Sequence, residues 1–201
     1  MGDLTITYVD TNVFLAYTIG KDKEQKKYPL AKDFLEGLES RNEEAVISFL
    51  TLTEILSVIR KDRSREFETL TSLGTEQERC NHIIDGAKTI YYQLLSVMLK
   101  IPNIKFMPKK DLDINLLFSS AFTMLESTRG KVDFHHFCKN CGNEKNDKFF
   151  SGLKCVGAVD LIHLLIAKEL SCDKLVTFDQ GFTELINHEK ILPMTIDVLI
   201  P

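Results

Sequence analysis

The sequence predicts an α/β fold, a three-layer α/β/α sandwich around a central, mostly parallel sheet, with insertions. Short apolar runs rich in β-branched residues alternate along the chain with longer segments whose apolar residues recur at helical spacing. Strands that alternate with helices form parallel sheets with both faces covered. A chain of 201 residues is long enough for one domain with insertions.

Two strand–helix units are predicted at the start of the chain. Residues 4–9 form a strand that ends at Asp10, and residues 30–38 carry apolar side chains at helical spacing. Residues 45–49 form the second strand, and the helix after it has apolar members over 52–59, with Thr51 or Thr53 as its cap.

The rest of the chain continues the alternation around two longer segments. A charged, polar segment at 61–74 precedes a long amphipathic helix that Pro102 stops, and a second polar segment at 129–155 lacks periodicity. The predicted elements are helix 83–98, strand 104–107, helix 114–125, helix 159–170, strand 174–178, a short helix near Glu184 and strand 194–199.

Four acids fall where the predicted sheet would gather them. Asp10 closes the first strand, Asp179 closes the fourth, and Asp160 opens the helix that leads to that fourth strand. Glu54 follows the second strand by about one helical turn. Open α/β sheets carry their sites at the carboxyl ends of strands, so we expect these four carboxylates in one cleft. Their mutual repulsion is relieved most simply by a divalent cation.

An all-oxygen ligand set favours Mg²⁺ or Mn²⁺, and the chemistry it indicates is phosphodiester hydrolysis. Each acid also has an ordinary alternative, because Asp is common in caps and turns: Asp10 as a turn cap, Asp160 as a helix N-cap and Asp179 as an Asx-turn before Gly181. Their joint position at one sheet edge favours the metal site.

Four sequence blocks resemble the PIN domain, including VapC-like toxins and related ribonucleases: Y-V-D-T-N-V-F at 8–14, T-L-T-E-I-L at 51–56, A-V-D-L-I-H-L-L-I-A-K at 158–168 and K-L-V-T-F-D-Q-G-F at 174–182. The resemblance covers about the first 60 and the last 45 residues. It implies a single PIN-like domain over 1–201 with Mg²⁺- or Mn²⁺-dependent endoribonuclease activity. Its implied acidic quartet is Asp10, Glu54, Asp160 and Asp179, supported by Asn12 and Thr177.

Other functions remain open beside this one. A haloacid-dehalogenase-type phosphatase would need a second Asp where Asn12 stands, and a receiver domain leaves Glu54 unexplained. Within the PIN resemblance, the chain is a nuclease of RNA processing, a toxin neutralised by an antitoxin, or a catalytically silent scaffold for a protein or ribonucleoprotein partner. The added segments favour RNA processing. The helix at 83–99 is a candidate homodimer interface, or it covers the sheet.

The segment 129–156 contains a candidate zinc knuckle. Its first two cysteines have the C-x₂-C spacing that lets two thiolates share one ion, and Gly142 permits the tight turn that such a knuckle requires. Bound zinc would order a segment with few aliphatic residues. The alternative is three unrelated cysteines in a loop. The predicted ligands are Cys138, Cys141, Cys155 and either His135 or His136.

The charge balance excludes a generic polycationic nucleic-acid binder. Twenty-five Lys and Arg face 29 Asp and Glu, for a net charge of −4. Assigning four acids to a metal cleft leaves the remaining surface close to neutral, which is compatible with RNA as a partner. Basic residues at 60–65 and 131–154 lie among acids and phenylalanines, and a solvated face explains them better than an RNA-binding strip.

The chain is expected to be cytoplasmic, with no membrane association. The N-terminus lacks a secretory signal and a myristoylation pattern, and the apolar runs are too short to span a bilayer. Five cysteines, an odd number, fit a reducing compartment. His163 lies one helical turn after Asp160 and could reach a substrate phosphate, but its apolar neighbours favour a packed, hydrogen-bonded histidine.

Overall fold

A computed structural model describes residues 3–70, 75–107, 158–182 and 194–201. Five strands in this part of the chain form one sheet in the order β3-β2-β1-β4-β5, and every neighbouring pair is parallel. The predicted α/β architecture is therefore confirmed. The strands are β1 Thr5–Val9, β2 Glu43–Ile47, β3 Ile104–Phe106, β4 Lys174–Thr177 and β5 Thr195–Val198.

Five described helices flank this sheet. The first two follow β1, the next two lie between β2 and β3, and the last one leads into β4. They are α1 Thr11–Lys23, α2 Lys27–Glu36, α3 Phe49–Leu70, α4 Glu76–Lys100 and α5 Ala158–Glu169.

Successive residues of the strands point into different cores, as the pleat of a strand requires. On β1, Tyr8 joins a core with α5, whereas Val9 joins a second core with α1, α2, α3 and α4. On β4, Leu175 and Val176 divide in the same way. The sheet is thus the middle of three layers. Burial on both faces is the reason its strands read as continuous apolar runs.

The first helix departs from the sequence prediction, which has none between Asp10 and residue 30. Apolar side chains surround α1 on several sides, since Val13, Phe14 and Ala16 are all buried and Leu15 and Tyr17 are partly buried. A helix enclosed in this way has no single apolar stripe, and periodicity does not detect it.

The third helix is longer than predicted. It runs through the charged residues after Ile59 to Leu70. Lys61 and Arg65 are exposed, and Lys, Arg and Glu are good helix formers that need no buried face. Its polar second half was therefore wrongly excluded from the helix.

Several predictions lie outside the described residues. These are the helix at 114–125, the whole segment 129–156 with its candidate zinc ligands Cys138, Cys141, Cys155, His135 and His136, and the short helix near Glu184. Among the helices that are described, none combines the length and apolar character needed to cross a bilayer.

Candidate metal centre

Asp10 and Asp179 lie at the carboxyl ends of two neighbouring strands. Val9 is paired with Val176 across β1 and β4, so both strands end at one edge of the sheet. The backbone N–H of Asp10 donates to the carbonyl of Val176 at 3.0 Å, which continues the pairing past β1. Asp179 follows the last residue of β4 by two positions.

The carboxylate of Asp10 is fixed by two polar neighbours. Its Oδ2 accepts hydrogen bonds from Asn12 Nδ2 at 2.6 Å and from Thr177 Oγ1 at 2.5 Å. Asn12 also accepts the backbone N–H of Phe178 at 2.9 Å, so this side chain links the start of α1 to the end of β4. Asp10 precedes α1, but its side chain makes no capping hydrogen bond. The turn-cap alternative for this acid is therefore not what holds it.

Burial raises the pKa of the Asp10 carboxyl. Only 4% of the residue is exposed, and loss of solvation is the largest effect. The neighbouring Glu54 raises the pKa further, while His163, Thr177 and the Thr11 backbone act in the opposite direction. Ionised Asp10 therefore destabilises the folded state, and its hydrogen bonds only partly offset this loss of solvation.

His163 reaches this edge from the other side of the sheet. It lies on α5 and is 1% exposed, with Nε2 at 2.6 Å from Glu54 Oε2 and at 4.0 Å from Asp10 Oδ1. Its Nδ1 lies 2.7 Å from the hydroxyl of Tyr8, and that hydroxyl lies 2.7 Å from Ser48 Oγ. A continuous hydrogen-bond chain therefore runs from the buried Ser48 through Tyr8 and His163 to the half-buried Glu54.

Glu54 lies on α3, and two side chains from other elements contact its carboxylate. The Thr11 hydroxyl donates to its Oε2, and His163 Nε2 contacts the same oxygen. Burial acts to raise the pKa of Glu54, but the hydrogen bonds from His163 and Thr11, together with the charge of His163, lower it overall. The two neighbouring carboxylates of this site thus have pKa values displaced in opposite directions, as is common at functional sites.

Asp10, Glu54 and His163 form a compact set of donor atoms. One atom from each lies within 4.8 Å of one atom from each of the others, and within the described parts of the chain no other group of three His, Cys, Asp or Glu does so. Asp160 and Asp179 are outside this group. The sequence-predicted quartet therefore has two members, Asp10 and Glu54, in the donor set, and two members outside it.

Asp160 and Asp179 have their own local settings. Asp160 is half-buried in the first turn of α5, one turn before His163. Asp179 accepts the backbone N–H of Gly181 at 2.7 Å, and its own N–H donates to Thr177 Oγ1 at 2.9 Å. The first of these contacts is the Asx-turn that the sequence offered as the ordinary alternative.

Sequence reasoning did not assign Tyr8, Thr11 and His163 to the site. For His163 a signal was present, since it lies three residues after Asp160 and so on the same helix face. The expectation of a packed, hydrogen-bonded histidine matches its burial, but its partners are the Glu54 carboxylate and the Tyr8 hydroxyl rather than the apolar core. Tyr8 and Thr11 carry no comparable signal in the sequence.

No protein-family model matches the sequence, and no curated protein matches it. Among solved structures, the chain is similar to the crystal structure of VapBC2 from Rickettsia felis bound to a DNA fragment from their promoter. The similarity covers 96% of this chain and 98% of that chain, with 16% sequence identity and a TM-score of 0.48. A likeness at this level assigns neither a family nor an activity.

Proposed function

We propose that this chain is a metal-dependent endoribonuclease that hydrolyses RNA phosphodiester bonds. One observation carries the proposal: the buried Asp10 carboxylate and the half-buried Glu54 carboxylate share one small site into which the described residues bring no Lys or Arg side chain. No described Lys or Arg forms an ion pair with either acid, and His163 is the only partner of that kind. Buried carboxylates that lack a cation are costly, and a divalent ion removes that cost.

The donor set fits Mg²⁺ or Mn²⁺. Carboxylate oxygens are the ligands that these ions prefer. Asp10 Oδ2 accepts hydrogen bonds from Asn12 and Thr177, whereas Asp10 Oδ1 lies 4.0 Å from His163 Nε2. Asp10 and Glu54 would hold the ion, and we propose that Asp160 and Asp179 complete the acidic quartet around the substrate.

A bound Mg²⁺ or Mn²⁺ ion supplies a water of lowered pKa and polarises the scissile phosphate. The protein's own contribution is to fix its ligands before the reaction. Asn12 and Thr177 fix the Asp10 carboxylate through Oδ2, and Thr11 fixes Glu54. Ligands held in this way need little reorganisation when charge develops on the phosphate, which is the main source of electrostatic catalysis.

The choice of RNA as substrate is supported by the four PIN-like sequence blocks rather than by the donor set, which would serve any phosphodiester. The segment 129–156 favours a role in RNA processing, because a minimal toxin has little use for it. The alternatives to this role are a toxin ribonuclease neutralised by an antitoxin, and a catalytically silent scaffold that binds a protein or ribonucleoprotein partner.

The experiment is Mn²⁺-dependent cleavage of a mixed RNA pool by the wild-type protein beside Asp160→Asn. We expect the wild type to cut the RNA and the variant to fail while keeping its circular dichroism spectrum. A pool left intact by folded wild-type protein under Mn²⁺ and Mg²⁺ would contradict the nuclease and favour the silent scaffold. Equal cleavage by the variant would remove Asp160 from the mechanism.

A structural zinc ion in the segment 129–156 is a separate proposal. Its ligands would be Cys138, Cys141, Cys155 and either His135 or His136. Elemental analysis of the purified protein tests it, with about one zinc per chain expected and a loss of that zinc in Cys138→Ser. A metal content below one tenth per chain would refute it.

A further inference from the structure

We propose that His163 is a nitrogen ligand of the ion at this centre, and that this ligand makes the centre prefer Mn²⁺ to Mg²⁺. The inference rests on the proposed metal centre and specifies its ligands and its ion. Neither the acidic quartet of the sequence blocks nor the all-oxygen ligand set includes a histidine.

One of the two separations from His163 Nε2 to the carboxylate oxygens matches that of two ligands to one ion, and the other is shorter by about 0.4 Å. With metal–ligand bonds of about 2.1 Å, two ligand atoms lie about 3.0 Å apart when adjacent and about 4.2 Å apart when opposite. His163 Nε2 lies 2.6 Å from Glu54 Oε2 and 4.0 Å from Asp10 Oδ1. A small movement of Glu54, which is half-buried on α3, opens the shorter contact to the adjacent-ligand distance.

The second ring nitrogen of His163 has the partner that a metal-bound histidine requires. Metal-bound histidines nearly always donate their other N–H to a fixed acceptor, which sets the tautomer and the ring plane. Here the acceptor is the hydroxyl of Tyr8 at 2.7 Å, and this hydroxyl is itself 2.7 Å from Ser48 Oγ. All three side chains are essentially inaccessible to solvent.

The hydroxyl of Tyr8 can pair with Nδ1 whether or not that nitrogen carries a proton, because a hydroxyl both donates and accepts. With an ion, Nδ1–H donates to Tyr8, Tyr8 donates to Ser48, and the Nε2 lone pair is free for the metal. In that form the imidazole is neutral, with its single proton on Nδ1.

The nitrogen ligand decides between the two ions. Imidazole suits first-row transition ions, whereas Mg²⁺ prefers hard oxygen ligands and gives up its water reluctantly. A site with two carboxylates alone would bind Mg²⁺ and Mn²⁺ with little distinction. Adding His163 as a ligand shifts the preference toward Mn²⁺.

Pulsed electron paramagnetic resonance of Mn²⁺ bound to the wild-type protein tests the ligand directly. We expect a modulation from a directly bound ¹⁴N, and its replacement by a ¹⁵N pattern when the protein is labelled with ¹⁵N-histidine. This measurement needs no mutation. Bound Mn²⁺ without a histidine coupling would overturn the inference, and so would the absence of Mn²⁺ binding.

Two variants assign the coupling to one residue. His163→Gln should lose it, and its affinity ratio of Mn²⁺ to Mg²⁺, measured by titration calorimetry, should fall about tenfold. His82→Gln on α4, outside the donor group, should retain both. A coupling that persists in folded His163→Gln, or an unchanged affinity ratio there, would overturn the proposal.

The result separates this inference from the proposed nuclease function. A histidine coupling in a protein that leaves RNA intact would remove the nuclease activity and keep the ligand. RNA cleavage by a protein whose bound Mn²⁺ shows no histidine coupling would support the nuclease and overturn His163 as a ligand.

Discussion

At the amino end of the sheet the acid Glu43 forms ion pairs with two cations, whereas at the carboxyl end Asp10 and Glu54 form no ion pair with a described Lys or Arg. Glu43 begins β2, and it accepts from Lys174 Nζ at 2.9 Å and from Arg41 Nε at 3.2 Å. Both ends belong to the same sheet, which packs against the same two cores. Their difference therefore arises from the side chains placed there and not from the fold.

The comparison indicates which end is optimised for stability. Glu43 is 7% exposed, so its two cations offset the loss of solvation that burial imposes. Asp10 is equally buried, yet it is held by neutral donors and faces a second carboxylate. Unfavourable charge that persists in a well-packed protein is characteristic of functional sites.

The largest expected effect is on catalysis at the carboxyl end. Asp10→Asn should reduce Mn²⁺-dependent RNA cleavage by about 10³-fold or more, because losing a fixed ligand removes several kcal/mol of transition-state stabilisation. Initial rates on a labelled RNA measure it. Asp173→Asn, an acid at the amino end that accepts the backbone N–H of Ile6 at 2.8 Å, is the matched control and should retain full activity. Comparable losses in both variants would refute the assignment of the site to the carboxyl end.

The amino end should instead respond in stability. Lys174→Met leaves Glu43 with Arg41 alone and should cost about 2 kcal/mol, since the charged hydrogen bond is largely buried. Urea denaturation measures the change. Lys32→Met, which removes an exposed pair with Glu36 at 4.0 Å, should cost less than about 0.5 kcal/mol. Equal losses of stability in the two variants would contradict the prediction that the buried ion pair stabilises the protein more than the exposed one.

The sequence predicts the position of the acids better than their partners. Asp10 follows a β-branched run and Asp179 follows another, so their place at the ends of strands is evident from local pattern. That β1 and β4 are neighbours depends on the order in which the strands pair, and this order is a property of the whole chain. The proximity of Asp10 and Thr177, which are 167 residues apart, follows only from that order.

His163 shows a second limit of sequence reasoning. A histidine among Leu and Ile residues on an amphipathic helix indicates the core, and His163 is indeed buried. Its partner Glu54 is 109 residues away on another helix, and Tyr8 is 155 residues away on β1. Periodicity gives the face on which a side chain lies, but it does not give the polar groups that meet it there.

The third prediction concerns stability at the carboxyl end, measured in EDTA. The folded state raises the pKa of the Asp10 carboxyl. Between the ordinary pKa and this raised pKa, the folded protein binds more protons than the unfolded chain, so its free energy of unfolding falls as pH rises through that range. Asp10→Asn removes this cost and should stabilise the metal-free protein by about 1 kcal/mol at pH 7. The gain should vanish below pH 3.8, the ordinary value for the carboxyl.

Glu54→Gln is the opposite-signed control for that prediction. The folded state lowers the pKa of Glu54, so its contribution is stabilising at neutral pH and is lost as pH falls through the folded pKa. The variant should therefore be less stable at pH 7, by under about 1 kcal/mol because 30% of the side chain is exposed. Denaturation curves at several pH values compare the two. Destabilisation by both variants at pH 7 would contradict the prediction that ionised Asp10 destabilises the metal-free folded protein.

The smallest effect repeats the Asp→Asn change at the amino end. Asp173 is exposed and its Oδ2 accepts the backbone N–H of Ile6, while its own N–H donates to the Ile6 carbonyl. Asn keeps an acceptor but loses the charge, so Asp173→Asn should destabilise the protein by about 0.5 kcal/mol. Urea denaturation beside Asp10→Asn in EDTA at pH 7 measures the pair. If Asp→Asn stabilises the protein at one end and destabilises it at the other, the two acids differ in their surroundings rather than in their chemistry. If both variants are destabilised, ionised Asp10 does not destabilise the folded state.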